Sequence, residues 1–411
     1  MIDRPIIHCA PWLLPISRPP IADGGIVIQA GKIIKVGRFK EVACSYPDAE
    51  IFDHPDTVLM PGLINAHTHL ELSHLAHLSQ QPPPASFSAW IGQMLAERAK
   101  VNASKKIIQD AAHAVLFEQQ QQGVIAIADI SNTGFIQELA PEFLGQLICC
   151  KEYLGLRASE LAASLDRLAE EAAICCTAHA PYSTHLDLLL ALKTRATRLG
   201  QIFSIHVAES LAEHDMISQG KGEMRNFLEQ RGFWAKSFQP TGLESKGSVS
   251  YLNDHGLLDS KTLCVHCIHV TDMERDLLAQ SKAKVCLCLG SNRYLGVGIA
   301  PVEKYLNKGI LPALGTDSLT SNPKLSIWQE MRLLAKEHPA VEPADILRMA
   351  TLGGAEALGL DKQLGSLEAG KAAALLAVNL AGSKQNISSL ADLEEHLVHQ
   401  QIKQSSVYSL A

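Results

Sequence analysis

The chain is poor in aromatic residues, at 5% of the total, and has no uninterrupted apolar run near the roughly 20 residues that a spanning helix needs. It also lacks a basic cluster. Lys and Arg number 36 against 43 Asp and Glu, for a formal charge of −7, so nothing tracks a phosphate backbone and nucleic acid is not an expected partner. A signal core is absent as well: an acid follows Met1 closely in Met1-Ile-Asp-Arg-Pro5, and residues 12–14 are too short an apolar stretch. The expectation is a soluble cytoplasmic protein with no membrane partner. Cysteine is not scarce, at ten residues, but without a secretory signal a disulfide framework is not expected for the adjacent pairs Cys149-Cys150 and Cys175-Cys176. Cys264-Val-His-Cys267 followed by Cys286-Leu-Cys288 imitates a four-thiolate zinc site. On a strand, however, Cys264 and Cys267 face opposite sides, so these four are read as small buried apolar residues.

At 411 residues the chain can fill a barrel-sized domain and a smaller one. Residues 1–57 carry short β-rich pieces, Gly25-Ile-Val-Ile-Gln29 and Gly31-Lys-Ile-Ile-Lys-Val-Gly37, broken by turn glycines and prolines. From residue 58 the pattern changes to short apolar runs alternating with longer amphipathic segments. The strand candidates are 58–66, 123–130, 146–153, 173–179, 201–209, 262–266, 284–289 and 310–317. Eight βα units predict an α/β fold, a (β/α)8 TIM barrel over 58–362, with function at the C-terminal strand ends. Residues 221–256 are expected to add a helix and a loop over the mouth, where Phe233-Trp234 and, from the first connection, Trp90 are candidates for a substrate lid. A helix over 343–358, closed by Gly359, precedes a return to β pattern at Gly365-Ser-Leu-Glu-Ala-Gly370-Lys. Residues 363–411 are expected to join residues 1–57 in a small second domain.

Six polar residues fall at strand ends: His67 and His69 on the first, His179 on the fourth, His206 on the fifth, His266 on the sixth and Asp317 on the eighth. Side chains two apart on a strand point to one face about 7 Å apart, so His67 and His69 can grip one metal ion. One buried histidine is ordinarily a satisfied core group, but six polar groups converging on one face are not explained by packing. His67, His69, His206 and Asp317 are assigned to an N3O shell suited to a divalent metal, with a position left for water. Zinc leads; iron and manganese can share such ligands.

Pro61-Gly-Leu-Ile-Asn-Ala-His67-Thr-His69, His206-Val-Ala-Glu209, His266-Cys-Ile-His-Val-Thr-Asp272 and Leu314-Gly-Thr-Asp-Ser318 resemble the amidohydrolase superfamily. The resemblance is narrower to its mononuclear cytosine/adenosine-deaminase-related branch, with guanine, methylthioadenosine/S-adenosylhomocysteine and aminodeoxyfutalosine deaminases. It implies that the terminal β segments form a composite β-sandwich, and that Glu209 and His266 are catalytic rather than ligands. A metal lowers the pKa of bound water and makes hydroxide available to a ring carbon bearing an amino group. Asp317 can accept a proton as water attacks, Glu209 can carry protons to the ring nitrogen and the departing ammonia, and His266 can orient the water. The implied function is hydrolytic deamination of a purine or purine-nucleoside-like small molecule. The alternatives are hydrolysis of a formimino, cyclic amide or halo-aromatic bond on the same fold, or a non-catalytic metal-stabilised binding protein.

Departures from the pattern bear on metal count and substrate. The fourth strand ends Thr177-Ala-His179-Ala-Pro-Tyr182, without the lysine that bridges two metals in binuclear members, so one metal is expected. His179 resembles a substrate-contacting histidine of nucleoside-type deaminases. The seventh strand ends Cys288-Leu-Gly-Ser-Asn292-Arg293 instead of the frequent His-Cys-Pro-x-Ser-Asn, retaining Asn292 as a candidate binding group. Glu71 is a candidate for reading a ribose hydroxyl or capping the first loop. Glu152 and Arg157 follow the third strand as candidates for a substrate's distal end, and Arg157 or Arg293 is a candidate receiver of a carboxylate. Oligomeric state is open, with a homo-oligomer among the alternatives.

Overall fold

Gly62 divides the apolar run 58–66 into two strands that serve different sheets. A Cβ there would lie 2.3 Å from Cγ2 of Ile125, so only glycine lets the chain pass this point. The computed structural model describes residues 4–380, 389–399 and 405–409. In chain order the first strands are β1 (Ile6–Leu13), β2 (Ile21–Gln29), β3 (Lys32–Arg38), β4 (Glu50–Asp53) and β5 (Thr57–Pro61). They are followed by β6 (Leu63–Thr68), β7 (Val124–Ser131), β8 (Gln146–Tyr153), β9 (Cys175–Ala178), β10 (Phe203–Val207), β11 (Thr262–His266), β12 (Lys284–Leu287) and β13 (Ala313–Leu314). Last come β14 (Ala374–Asn379) and β15 (Ser405–Ser409).

The two chain ends share one sheet, in the order β15-β14-β5-β1-β2-β3, with β4 paired to β1. The expected first strand therefore gives its front half, β5, to this sheet, where Met60 pairs with Leu376 of antiparallel β14. Leu13, Ile26, Ile33, Leu59 and Leu375 are buried in its core. Those parts of the 363–411 reading that fall on 381–388, 400–404 and 410–411 lie outside the described residues.

The other eight strands form two parallel four-stranded sheets, β6-β7-β8-β9 and β10-β11-β12-β13. β6, β7, β10 and β11 are buried along their whole length, as expected of parallel strands connected by crossovers. Two backbone seams link the sheets. The N–H of His206 donates to the carbonyl of His179 at 2.9 Å; at the other edges, the N–H groups of Thr316 and Asp317 donate to the carbonyl of His67 at 2.9 and 3.1 Å. The eighth strand is shorter than the expected 310–317, because Pro312 has no N–H for a ladder and Asp317 turns away at a φ of +57°. At the same seam a Cβ on Gly315 would fall 2.7 Å from Cys286 Sγ and 2.9 Å from His67 Cβ, so glycine permits the close approach.

Residues 221–256 contain two short helices, Glu223–Gln230 and Ser248–Asp254, where one was expected. Trp234 packs against Phe238 at 5.7 Å between ring centroids, with Arg225 above it at 5.1 Å. The helix expected over 343–358 contains a wider π-helical turn at Met349–Gly353, before Gly359 ends it at a φ of +70°. Cys264, Cys267, Cys286 and Cys288 are free and buried. Against expectation, Cys150 and Cys175 form a disulfide: parallel β8 and β9 pair these two residues, with Cα atoms 4.4 Å apart. One member of each adjacent cysteine pair thus faces the other across the ladder. Among the described residues no helix is long and apolar enough to cross a membrane.

Candidate active site

Apolar strands buried on both faces end together, and at their C-terminal ends polar residues replace valine and isoleucine. His67 lies in β6 and His69 one residue beyond it; His179 follows β9, His206 lies in β10, and His266 closes β11. Asp317 follows β13. The exits are bent at residues other than glycine: Ala208, His266, Cys267 and Asp317 have φ values of +53°, +73°, +47° and +57°. Each such residue costs about 1–3 kcal/mol unless its surroundings hold it there, and such geometry concentrates at functional sites. Here the N–H groups of Ile268 and His269 both donate to the carbonyl of Ala208 at 2.9 Å, and that of Cys267 donates to Val207 at 2.9 Å.

The imidazoles of His67, His69 and His206 converge, with one ligand atom of each lying within 4.8 Å of the others. Nδ1 of His69 sits 3.0 Å from the carbonyl of Ile130, and Nδ1 of His206 sits 2.9 Å from that of His179. A carbonyl only accepts, so both rings carry a proton on Nδ1, and Nε2 is the atom through which each would ligate a metal. Those two Nε2 atoms are 3.4 Å apart, and Nε2 of His67 is 3.2 Å from that of His206. Two lone pairs at this distance repel. A cation between them turns the repulsion into coordination, which is the sense in which these residues fit a metal.

Asp317 adds an oxygen to the cluster, with Oδ1 3.6 Å from His69 Nε2. Its other oxygen accepts from the hydroxyls of Ser291 at 2.5 Å and Ser321 at 3.0 Å, which fixes the carboxylate plane. Burial pushes the Asp317 carboxyl up, yet the surrounding histidines and Ser291 hold it below the ordinary carboxylate value. Burial and the mutual repulsion of neighbouring imidazoles drive His67 and His206 well below the usual histidine range, so both are neutral, as ligands must be.

Beside the cluster, Glu209 Oε1 lies 3.5 Å from His266 Nε2, both side chains being almost wholly buried. Burial, with Asp317 and Glu213 nearby, pushes the Glu209 carboxyl well above its ordinary value. Nδ1 of His266 pairs with Asn292 Oδ1 at 2.8 Å, leaving Nε2 toward Glu209. The turn carrying Glu209 is held from below: Glu213 accepts the N–H groups of Ala208 and Glu209, each at 2.8 Å, and the hydroxyl of Ser248. Asn65 joins β6 to the eighth strand's exit, accepting Thr316 N–H at 3.1 Å and donating to its hydroxyl at 2.8 Å. Sequence reasoning missed Glu213 and Asn65. Glu213 stands where an acidic residue commonly caps a helix after Ser210, and its second duty has no local signature.

The candidate substrate residues divide. His179 lies against His206 at 5.0 Å between ring centroids, with Nδ1 2.6 Å from the Ser183 hydroxyl; burial lowers its pKa to about 4. A carboxylate oxygen of Glu152 lies within 4.8 Å of ring nitrogens of His179 and His206. Asn292 reaches the site through His266. Trp90 packs on Phe87 and donates from Nε1 to the Thr320 carbonyl at 3.4 Å, over the loop that follows Asp317.

Three of the candidates have their polar groups engaged elsewhere. Glu71 is buried beneath the loop leaving β7, where it accepts the N–H groups of Asn132 and Thr133, each at 3.0 Å, and the hydroxyls of Ser131 at 2.9 Å and Thr133 at 2.7 Å. Arg98 completes its partners at 3.3 Å, so neither oxygen is left for a ribose, and the loop it caps is the second rather than the first. Arg157 is ion-paired with Glu160 and donates to the Gly232 carbonyl at 2.8 Å, which ties β8's exit to the 221–256 segment. Arg293 lies 3.7 Å from Glu337 in an outer depression that it shares with Lys324, Arg332 and Lys336. Neither arginine is engaged with the histidine cluster.

Residues 58–404 match the model of the amidohydrolase family. The chain belongs to the amidohydrolase family. It is 30% identical over 405 residues to the 5-methylthioadenosine/S-adenosylhomocysteine deaminase of Moorella thermoacetica, covering 94% of this chain and 88% of that one. The fold matches Helicobacter pylori aminofutalosine deaminase in complex with methylthio-coformycin, with a TM-score of 0.81, 23% identity and 98% of both chains covered. It also matches a zinc-bound adenosine deaminase from Xanthomonas campestris, with a TM-score of 0.79, 22% identity, and 98% of this chain and 91% of that one covered. The cluster of His67, His69 and His206 could hold a metal ion.

Proposed function

We propose that the chain is a metal-dependent hydrolytic deaminase, removing the ring amino group of a purine or purine-nucleoside-like substrate as ammonia. The deaminase name of the 30%-identical relative and its near full-length coverage support the reaction class. The observation that carries the mechanism is the meeting of three imidazole Nε2 atoms, 3.2 and 3.4 Å from one another, beside the Asp317 carboxylate. His67, His69, His206 and Asp317 are the ligands in this reading, and zinc the preferred ion. Bound there, such an ion supplies a hydrolytic nucleophile at neutral pH.

This chain's own groups do the rest. Asp317, its second oxygen pinned by Ser291 and Ser321, takes a proton from the attacking water. Glu209, kept protonated by burial, donates to the ring nitrogen as the carbon is attacked; it then takes the remaining proton of the added hydroxyl and passes it to the leaving amine, and the proton held by Asp317 restores it. His266, steered by Asn292, holds Glu209 and orients the water. His179 contacts the ring, and Trp90 lines the approach. The same reading takes residues 58–362 as a closed (β/α)8 barrel, which the His206–His179 and Thr316–His67 backbone seams support, with 1–57 and 363–411 as a composite β-sandwich.

The test is ammonia release by the zinc-loaded protein from adenosine, 5-methylthioadenosine, S-adenosylhomocysteine, aminodeoxyfutalosine, guanine and cytosine. Release from one of the purines is expected, with a ring carbonyl in the product; silence across the panel would sink the reading.

A further inference from the structure

Side chains alternate along β8, and its last three residues divide accordingly. Lys151 and Tyr153 turn outward to the same carboxylate, Glu171, the tyrosine hydroxyl at 3.1 Å. Glu152 turns inward, toward His179 and His206. One of its oxygens, Oε2, accepts from Asn132 Nδ2 at 2.8 Å; the other, Oε1, is buried without a hydrogen-bond partner among the described residues.

The orientation of this carboxylate is determined by a chain of charged and polar groups. Arg98 Nη1 donates to Asn132 Oδ1 at 3.0 Å, so the amide of Asn132 has only its NH2 to offer Glu152. Arg98 is in turn held by Glu71, which also accepts the Asn132 N–H at 3.0 Å. A buried carboxylate oxygen left unpaired costs on the order of 1–3 kcal/mol, and a fold that positions one so deliberately has a use for it. A second metal ion is not that use. His206 spends Nδ1 on the His179 carbonyl and turns Nε2 to the first cluster, while His179 spends Nδ1 on Ser183, so three free lone pairs do not meet at Glu152.

We infer that Glu152 is a specificity-determining residue that accepts a hydrogen bond from a neutral donor of the substrate, a hydroxyl or a ring N–H, and excludes an anionic group from the His179 side of the site. The inference rests on the deaminase reading and sharpens its substrate class. Among the described residues the buried carboxylate oxygen has no donor, so a substrate presenting its own carboxylate or phosphate here brings acceptor against acceptor. Arg157 and Arg293 are paired elsewhere, and among the described residues neither offers this oxygen a cation.

The two donor sources separate kinetically. The full-length zinc-loaded chain and its Glu152→Gln and Glu152→Ala variants are assayed with adenosine, 2′,3′-dideoxyadenosine and adenine, alongside zinc content and melting temperature. If a sugar hydroxyl is read, KM for adenosine rises about ten- to hundredfold in both variants, that for the dideoxy analogue is unchanged, and kcat and zinc content hold. If a ring N–H is read, the rise falls on adenine alone. Equal effects on all three substrates, or none, overturn the inference while leaving the deaminase reading intact. Wild-type silence on all three also overturns it, and the deaminase reading falls separately only if the wider amine panel is silent too.

Discussion

The carboxylate of Glu213 holds the backbone N–H of Glu209 at 2.8 Å while its other oxygen takes the N–H of Ala208 at the same distance. One buried side chain thus fixes both the left-handed turn at Ala208 and the direction in which Glu209 leaves β10. Glu213→Gln replaces one acceptor with an NH2 group facing a backbone N–H. We expect a stability loss of about 1–3 kcal/mol by urea unfolding and a fall in kcat with KM and metal content nearly unchanged. Unchanged kcat would show that the turn needs no such support.

Glu209→Gln keeps size and polarity but removes the transferable proton. The expected outcome is full metal occupancy with kcat about 10²–10⁴-fold lower, measured by ammonia release. Retained activity would move the proton shuttle elsewhere.

A pH effect is expected far from the site. His8 stacks with Phe52 and pairs with His54 at 2.9 Å in the terminal sheet, and burial, followed by the nearby His54, lowers its pKa to about 4. The folded value lies below the unfolded 6.5, so the contribution to stability is fully present above pH 6.5 and is lost as pH falls toward 4. After allowance for solvent at this sheet, the loss is about 1–2 kcal/mol. Comparing urea midpoints at pH 7.5 and 5 for wild type and His8→Leu isolates it: the wild type should lose more, and parallel losses would refute the assignment.

The sequence carried the parallel strands and the polar ends legibly, because buried parallel strands leave continuous apolar runs and a histidine at the end of one interrupts the pattern. His67, His69, His179, His206, His266 and Asp317 were read as candidates that way, and Glu209 through the family resemblance. Long-range contacts were not legible. Glu71 follows the metal pair so closely that it reads as a site residue, yet the chain turns helical over Leu70–Gln80 and buries it against a loop some sixty residues on. The split at Gly62 was hidden inside an unbroken apolar run, since what forbids a side chain there is Ile125 from another strand. Cys150 meets Cys175 only through the β8–β9 register. Glu152 lay between these cases: its place at the third strand made it a candidate, but only Asn132 and Arg98 show which of its oxygens is left unpaired.

The central claim is that three imidazoles and one carboxylate hold a single divalent ion. Metal content by mass spectrometry of the purified wild type, His67→Ala and Asp317→Ala proteins, each equilibrated with equimolar zinc and desalted, tests it most directly. The account predicts one ion per wild-type chain, a large loss in both variants, and a higher wild-type melting temperature with metal than after chelation. Full occupancy in both variants, or two ions per wild-type chain, would contradict it.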